Sequence, residues 1–160
     1  MKENRLVKYE RRELEKVGNS LAITSKLLAK NNDLSTLVRI GSVKVPNVNF
    51  NALTGIFKIT GMSIHEDPKI FFDPLLDWIK KYFINPQNNI RFKFQFEYIN
   101  GMSKNRVLRL IKYAIHYAND NGIKCSIDWY YKIDNEDILE LGEIYKELVD
   151  APFNLIQQNE

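Results

Sequence analysis

The feature that most constrains this fold is a long strand that runs directly into an amphipathic helix. One side of the strand carries Phe92, Phe94, Phe96 and Tyr98, and the other carries Arg91, Lys93, Gln95 and Glu97. This period of two predicts one buried and one wet face. Downstream, Val107, Leu108, Ile111, Ala114, Ile115 and Ala118 recur at helical spacing. The polar turn between strand and helix presents backbone N–H groups that can hold an anion, a phosphorylated side chain or a carboxylate.

The rest of the pattern predicts an α/β (α+β) domain over residues 37–158. Strands are expected at 37–45, 55–62, 91–99, 124–131 and 153–157, and helices at 73–83, 104–119 and from Asp134 or Asn135 to about 149. The first two strands are expected to form a hairpin around a turn at 49–54, and Asp73 and Ser103 to cap their helices. Three strand–helix–strand crossovers predict a mixed sheet of about five strands with helices mainly on one face.

The first 32 residues are predicted to form a separate amphipathic helix. Its apolar stripe is Leu14, Val17, Leu21 and Leu28. Such a stripe packs on its own domain, pairs with a second copy to give a homo-oligomer, or docks on another protein, and the sequence leaves these alternatives open. Residues 1–30 hold eight Lys or Arg against four Glu, so the rest of the chain is nearly neutral. No nucleic-acid partner is therefore expected for the domain.

Motifs that carry catalysis are missing from this sequence. It has no phosphate-binding glycine loop, no HExxH, no G-x-S-x-G and a single cysteine, Cys125, which is expected to be a small buried hydrophobe. The adjacent residues His65, Glu66 and Asp67 do not have the spacing of a metal site. We therefore expect a protein that is not an enzyme and holds no metal or cofactor. Without an apolar stretch long enough for a bilayer or a signal segment, it is expected to be cytoplasmic and not inserted in a membrane.

Several short motifs in order resemble the SiaC-type regulatory phosphoprotein family over residues 38–157. They are Gly61-Met62-Ser63, Asp67-Pro68, Phe71-Phe72-Asp73-Pro74-Leu75-Leu76-Asp77-Trp78, Glu97-Tyr98-Ile99-Asn100, Ser103-Lys104, Trp129-Tyr130-Tyr131, Asn135-Glu136-Asp137, Glu140-Leu141-Gly142-Glu143 and Pro152-Phe153. The resemblance implies a two-layer domain similar to the STAS domains of anti-sigma-factor antagonists. It also implies a bacterial signalling protein that works by partner switching rather than catalysis.

In partner switching, a serine/threonine kinase phosphorylates the protein and a metal-dependent phosphatase reverses this. In the best-known system the unphosphorylated form activates a diguanylate cyclase. The resemblance puts the phosphoacceptor in the turn between strand and helix. There the family's acceptor threonine is matched by Gly101 and the next hydroxyl by Met102, which leaves Ser103 as the hydroxyl of the turn. Either Ser103 has taken over the role, or the protein binds without a switch.

We therefore expect a signalling adaptor whose partner surface joins this turn to the acidic start of the next helix. The expected partner-binding residues are Asn100, Gly101, Met102, Lys104, Arg106, Asp134, Glu136, Asp137 and Glu140, and the candidate phosphosite is Ser103. A phosphate at a helix N-terminus is favoured electrostatically. Two other classes stay open: a constitutive oligomerisation or binding module, and a domain that binds a small anion or nucleotide at the same turn.

Overall fold

The computed structural model describes residues 34–159. Its elements within these residues are β1 (Leu37–Arg39), β2 (Asn47–Asn51), β3 (Ile56–Ser63), α1 (Pro68–Tyr82), β4 (Asn89–Ile99), α2 (Gly101–Asp120), β5 (Lys124–Lys132), α3 (Glu136–Leu148) and β6 (Phe153–Gln158). The predicted helix over residues 1–32 lies outside the described residues. The strands form one mixed sheet in sequence order from β1 to β6.

The order of the strands follows from how they are connected. Strands β1, β2 and β3 pair antiparallel, whereas β3, β4, β5 and β6 pair parallel, with a helix in each parallel connection. The predicted crossovers and the mixed sheet are therefore confirmed. Because consecutive parallel strands are neighbours, the ends of β3, β4 and β5 meet at one edge of the sheet. We call this the carboxyl edge, and the opposite one the amino edge.

At the start of the domain the predicted strands were wrong in number and position. The sheet has six strands in the described residues rather than about five. The strand expected at 37–45 ends at Arg39, and β2 occupies part of the expected turn at 49–54. A bend closed by a hydrogen bond from the N–H of Ser42 to the carbonyl of Val45 separates the two strands, and Pro46 follows it. The hairpin is therefore formed by β2 and β3, with β1 as a short edge strand.

The first helix begins earlier than expected because the sequence contains two Asp-Pro pairs. Asp67 caps α1 by accepting a hydrogen bond from the N–H of Lys69 at 3.0 Å, and Pro68 is the first helical residue. The predicted cap, Asp73, and its neighbour Pro74 lie inside the helix. Both Asp-Pro pairs can start a helix. The helix begins at the first pair because the additional residues before Asp73 include Phe71 and Phe72, which are buried in the core.

The strict alternation of β4 is interrupted near its end. Gly61 of β3 pairs with Phe96, but the next residue, Met62, pairs with Tyr98, so Glu97 is an extra residue in β4. Gly61 supports this β-bulge with a φ of 102°, which L side chains rarely adopt. The bulge shifts the phase by one residue. Tyr98, predicted to face the core, is consequently 50% exposed, and the next residue is buried.

The core lies between the sheet and the three helices of the described residues and is rich in aromatic side chains. Phe57 and Phe92, on neighbouring strands, have ring centroids 5.0 Å apart. Trp129 of β5 is fully buried, and its ring lies 5.3 Å from that of Tyr145 on α3. Cys125 is buried, as predicted, and this burial raises the pKa of its thiol to about 12. In the described residues, the other face of the sheet is mostly polar and carries exposed or half-buried side chains.

Candidate functional site at the carboxyl edge

The turn between β4 and α2 is held by one asparagine. The side-chain oxygen of Asn100 accepts a hydrogen bond from the N–H of Ser103 at 2.9 Å, and its amide donates to the carbonyl of His65 at 3.2 Å. Its backbone N–H donates to the carbonyl of Ser63 at 2.9 Å. Asn100 therefore starts the helix and joins it to the end of β3.

Ser103 is not the helix cap that was predicted. It is the third residue of α2, and Asn100 provides the cap by accepting a hydrogen bond from the N–H of Ser103. Ser103 is fully buried, and its hydroxyl is the one buried side-chain polar atom without a hydrogen-bond partner in residues 34–159. Leaving a buried hydroxyl unpaired costs about 1–3 kcal/mol. The candidate phosphoacceptor therefore lies below the surface in a turn that carries a local energetic cost.

The start of α3 is built in the same way as the start of α2. Asn135 accepts a hydrogen bond from the N–H of Ile138 at 3.3 Å and donates its amide to the carbonyl of Glu97 at 2.9 Å. Behind it, the indole of Trp129 donates to the carbonyl of Ile138 at 2.8 Å. The acids expected to meet a partner are all exposed: Asp134, Glu136, Asp137 and Glu140. They lie in the loop before α3 and in its first turns.

Two hydrogen bonds connect the predicted halves of the partner surface. The bond from Asn135 to Glu97 joins the start of α3 to β4, and the hydroxyl of Tyr145 on α3 donates to the carbonyl of Lys104 on α2 at 2.5 Å. Burial raises the pKa of Tyr145, so the hydroxyl stays protonated and can donate. The turn at Asn100 and the acidic start of α3 therefore form one continuous edge.

Arg106 is the predicted partner-binding residue that lies apart from these acids. Its guanidinium is 3.2 Å from the carboxylate of Asp73 on α1, and its side chain is only 17% exposed. Arg106 therefore connects α2 to α1. In contrast, Gly101 and Met102 are exposed and Lys104 is half-buried, so these residues stand at the carboxyl edge itself.

Two exposed apolar side chains at this edge were missed by reasoning from the sequence. Tyr98 and Ile133 are 50% and 73% exposed, and the predicted Met102 is 55% exposed. Tyr98 was missed because the bulge in β4 has no signature in the alternation. Ile133 directly follows β5, so its exposure depends on where the strand ends. We call the apolar residues Tyr98, Met102 and Ile133 together with the four acids the edge surface.

A metal site and a membrane span find no support within residues 34–159. In this range no three His, Cys, Asp or Glu side chains come together as metal ligands, and the ring nitrogen Nδ1 of His65 accepts a hydrogen bond from the N–H of Asp67. No helix in the same range has the length and apolar character needed to cross a bilayer. At the Asn100 turn, the N–H groups of Ser103 and Lys104 already donate to Asn100, which leaves fewer donors for an anion than expected.

Comparisons with known proteins agree with this fold. A curated relative, the uncharacterized protein PA14_02130 of Pseudomonas aeruginosa (strain UCBPP-PA14), is 22% identical over 120 residues, which cover 75% of this chain and 94% of the relative. The apo-SiaC crystal structure from Pseudomonas aeruginosa has a TM-score of 0.69 at 22% identity and covers 76% of this chain and 98% of that one. A crystal structure of the diguanylate cyclase SiaD in complex with its activator SiaC, also from Pseudomonas aeruginosa, has a chain that matches with a TM-score of 0.70 at 22% identity, over 76% of this chain and 99% of that one.

The family match covers most of the domain. The sequence model described as SiaC family regulatory phosphoprotein matches residues 41–158, which span every element from β2 to β6. This match includes the Asn100 turn and the acidic start of α3. The chain belongs to the SiaC family of regulatory phosphoproteins, whose role is regulatory and not catalytic.

Proposed function

We propose that this chain is a cytoplasmic signalling adaptor that binds a protein partner through its edge surface. Its membership of a family of regulatory phosphoproteins supports this role. The observation that carries the proposal is the presence at one edge of exposed Tyr98, Met102 and Ile133 beside exposed acids. Large apolar side chains left in water beside charges are typical of a surface that another protein covers.

The partner that we propose is a diguanylate cyclase, which this chain activates by binding. Support comes from the related SiaC of Pseudomonas aeruginosa, which is the activator of the diguanylate cyclase SiaD in the crystal structure of their complex. The edge surface combines apolar and acidic residues, so the matching surface of the cyclase should combine apolar and basic ones. Such a contact suits reversible regulation because charges at the rim of an interface mainly tune the rate of association.

A phosphorylation switch at Ser103 is the finer part of the proposal. A serine/threonine kinase transfers the γ-phosphoryl group of ATP to the Ser103 oxygen, which loses its proton, and a metal-dependent phosphatase transfers it to water. The first turn of α2 contains no acid, so its N-terminus favours a dianionic phosphate. The unpaired hydroxyl of Ser103 lowers the cost of opening this turn, because opening returns the oxygen to water.

Binding is tested with Met102→Glu, which places a charge on an exposed apolar residue of the edge surface. Purified diguanylate cyclases of the source organism are titrated with the full-length chain, and affinity and cyclase activity are measured. We expect Met102→Glu to weaken binding at least about tenfold, since an apolar contact is replaced by a charge. The matched control is Ile84→Glu, an equally large change at a residue that is 78% exposed at the amino edge. Equal losses in the two variants would contradict the edge surface as the site.

The switch is tested by intact mass and phosphosite mapping on protein from its native cells. The proposal predicts a phosphate on Ser103 that disappears in Ser103→Ala. Absence of phosphate under every growth condition would support the constitutive binding module instead. The burial of Ser103 is the observation that favours this second candidate. Binding to a cyclase separates the two outcomes from a failure of the adaptor role, because a constitutive module still binds.

A further inference from the structure

A groove at the amino edge of the sheet lies at the opposite end of the domain from the edge surface. Its volume is about 700 Å³, and it is formed where β3, β4 and β5 begin and where the chain enters β6. The side chains that matter here are Ile56, Arg91, Lys93, Lys124, Ser126 and Asp150. The groove therefore combines three cations with one acid, a hydroxyl and an apolar wall.

Its positive charge is arranged in a way that costs stability. Lys93 lies directly opposite Lys58 in the parallel pair of β3 and β4, and like charges at opposite positions repel. Lys93 is also half-buried, so water screens it less than it screens a fully exposed lysine. A repulsive pair on the polar face of a sheet brings no packing advantage. An anion bound beside Lys93 in the groove would offset this repulsion.

A buried acid beside these cations has partners of its own. Asp128 lies opposite Lys93 in register and is 4% exposed. Its carboxylate is 3.7 Å from the guanidinium of Arg91 and accepts a hydrogen bond from the amide of Asn154 at 2.9 Å. Within residues 34–159 no ion pair joins Lys58, Lys93 or Lys124 to an acid. At 3.7 Å, Arg91 does not make a direct hydrogen bond, so its donors can serve a ligand.

We propose that this groove binds a small organic phosphate with a flat or apolar body, such as a nucleotide. Arg91 and Lys93 provide the donors that phosphate oxygens prefer, and the hydroxyl of Ser126 adds another. Ile56, which is 40% exposed, provides a wall for the body of the ligand. A volume of about 700 Å³ is typical of small-molecule sites.

The groove is bounded by chain segments on two sides. The distance from β3 to β6 is three strand spacings, or about 14 Å. The turn at Thr54 and Gly55 borders one side, and Asp150 to Pro152 border the other. A short groove with a border on each side suits a small molecule. The site is independent of the proposed function and uses none of its residues.

The test compares adenosine 5′-monophosphate with adenosine, which differ only in the phosphate. Binding to the full-length chain is measured by calorimetry at constant ionic strength, with the melting temperature as a second readout. We expect saturable binding of the monophosphate, no binding of adenosine and at least about tenfold weaker binding in Lys93→Gln, as loss of one charged contact predicts. The matched control is Lys69→Gln, an exposed lysine at the start of α1 that should leave binding unchanged.

Three outcomes would overturn this inference. The first is that adenosine and its monophosphate bind equally. The second is that Lys93→Gln binds as tightly as the native chain. The third is that polyglutamate binds the groove more tightly than the monophosphate at matched charge, which would make the site a surface for an acidic polypeptide. Urea unfolding of Lys93→Gln confirms that a loss of binding is not a loss of fold, because removing one of two repelling lysines should not destabilise the sheet.

Discussion

The two junctions at the carboxyl edge share a cap and differ in the first residues of their helices. Asn100 and Asn135 each accept a hydrogen bond from the N–H of the third helical residue, at 2.9 and 3.3 Å. Each also donates its amide to a backbone carbonyl beyond the helix, that of His65 for Asn100 and that of Glu97 for Asn135. A single residue type therefore starts each helix and fixes it to the edge of the sheet.

The residues after the cap give the two helices different electrostatics. Helix α3 begins with Glu136 and Asp137, whereas α2 begins with Gly101 and Met102. The acids of α3 compensate the positive end of its dipole, and α2 has no such compensation. At the third position α3 has an apolar side chain, and α2 has the unpaired hydroxyl of Ser103. The α3 junction is thus complete in itself, and the α2 junction is suited to receive a negative charge.

The largest expected effect tests how firmly α3 is held. A Cβ on Gly142 would lie 2.5 Å from the Trp129 ring, closer than real contacts allow. Gly142→Ala should therefore destabilise the protein by about 3 kcal/mol through overpacking. The control is Gly101→Ala at the start of α2, where a Cβ meets nothing within 4 Å and the helix gains about 0.5 kcal/mol. Urea unfolding measures both, and similar effects would refute the contrast between the two helices.

A permanent charge at the third position of α2 should have the next largest effect. Ser103→Asp buries a carboxylate where a neutral hydroxyl stands, and we expect a loss of about 2 kcal/mol as the first turn opens to hydrate it. Hydrogen exchange should then be faster at residues 101–106 and unchanged in the first turn of α3. Protection of α2 equal to that of the native chain would show that the turn accepts charge without opening.

The caps themselves should differ in strength. Asn100→Ala should cost about 1.5 kcal/mol and Asn135→Ala about 1 kcal/mol, because the cap bond of Asn100 is shorter, at 2.9 Å against 3.3 Å. Both values are read from urea unfolding in one buffer. A larger loss for Asn135→Ala would mean that the bond to Glu97 is more important than the cap.

Much of this fold could be predicted from the spacing of apolar residues, because burial of one face imposes that spacing on each helix and strand. The helical stripe of α2 and the crossovers that make β3 to β6 parallel were both predicted correctly. The start of α1 was not, because Asp67-Pro68 and Asp73-Pro74 have the same cap chemistry and only packing decides between them. The orientation of Tyr98 was missed because one extra residue in β4 reverses the phase without changing the pattern.

The exposure of the acidic residues proposed for the site could be predicted from the sequence, and the contacts within the site could not. The expected acids are exposed, and their helix is joined to α2 through Tyr145 and Lys104. The burial of Ser103 was not foreseen, since both Asn100 and Ser103 are good caps and the sequence does not say which one the helix uses. Arg106 pairs with Asp73, which lies 33 positions earlier in the chain on another helix. Such a contact has no local signature in the sequence.

The bond between the two junctions can be tested by pH. Tyr145→Phe removes the donor to the carbonyl of Lys104 and should cost about 1 kcal/mol at neutral pH. Burial raises the pKa of Tyr145 above its ordinary value of 10.0. The folded state therefore keeps the proton that the unfolded state releases, and this contribution to stability is complete below pH 10 and lost as the pH rises. Unfolding free energy should fall less steeply above pH 10 in Tyr145→Phe, and equal slopes would contradict the shift.

The smallest expected effect is the sharpest test of the α2 junction. Because the hydroxyl of Ser103 is buried without a partner, Ser103→Ala should change the free energy of unfolding by less than about 0.5 kcal/mol or increase it. Urea unfolding measures Ser103→Ala in parallel with Asn100→Ala, whose loss of stability serves as the reference. A loss above about 1 kcal/mol in Ser103→Ala would mean that the Ser103 oxygen makes a hydrogen bond. If the Ser103 hydroxyl does not stabilise the fold, a chemical role such as phosphorylation is the remaining reason for a serine at this position. A stable Ser103→Ala variant therefore also makes any loss of phosphorylation or regulation in it attributable to the missing oxygen.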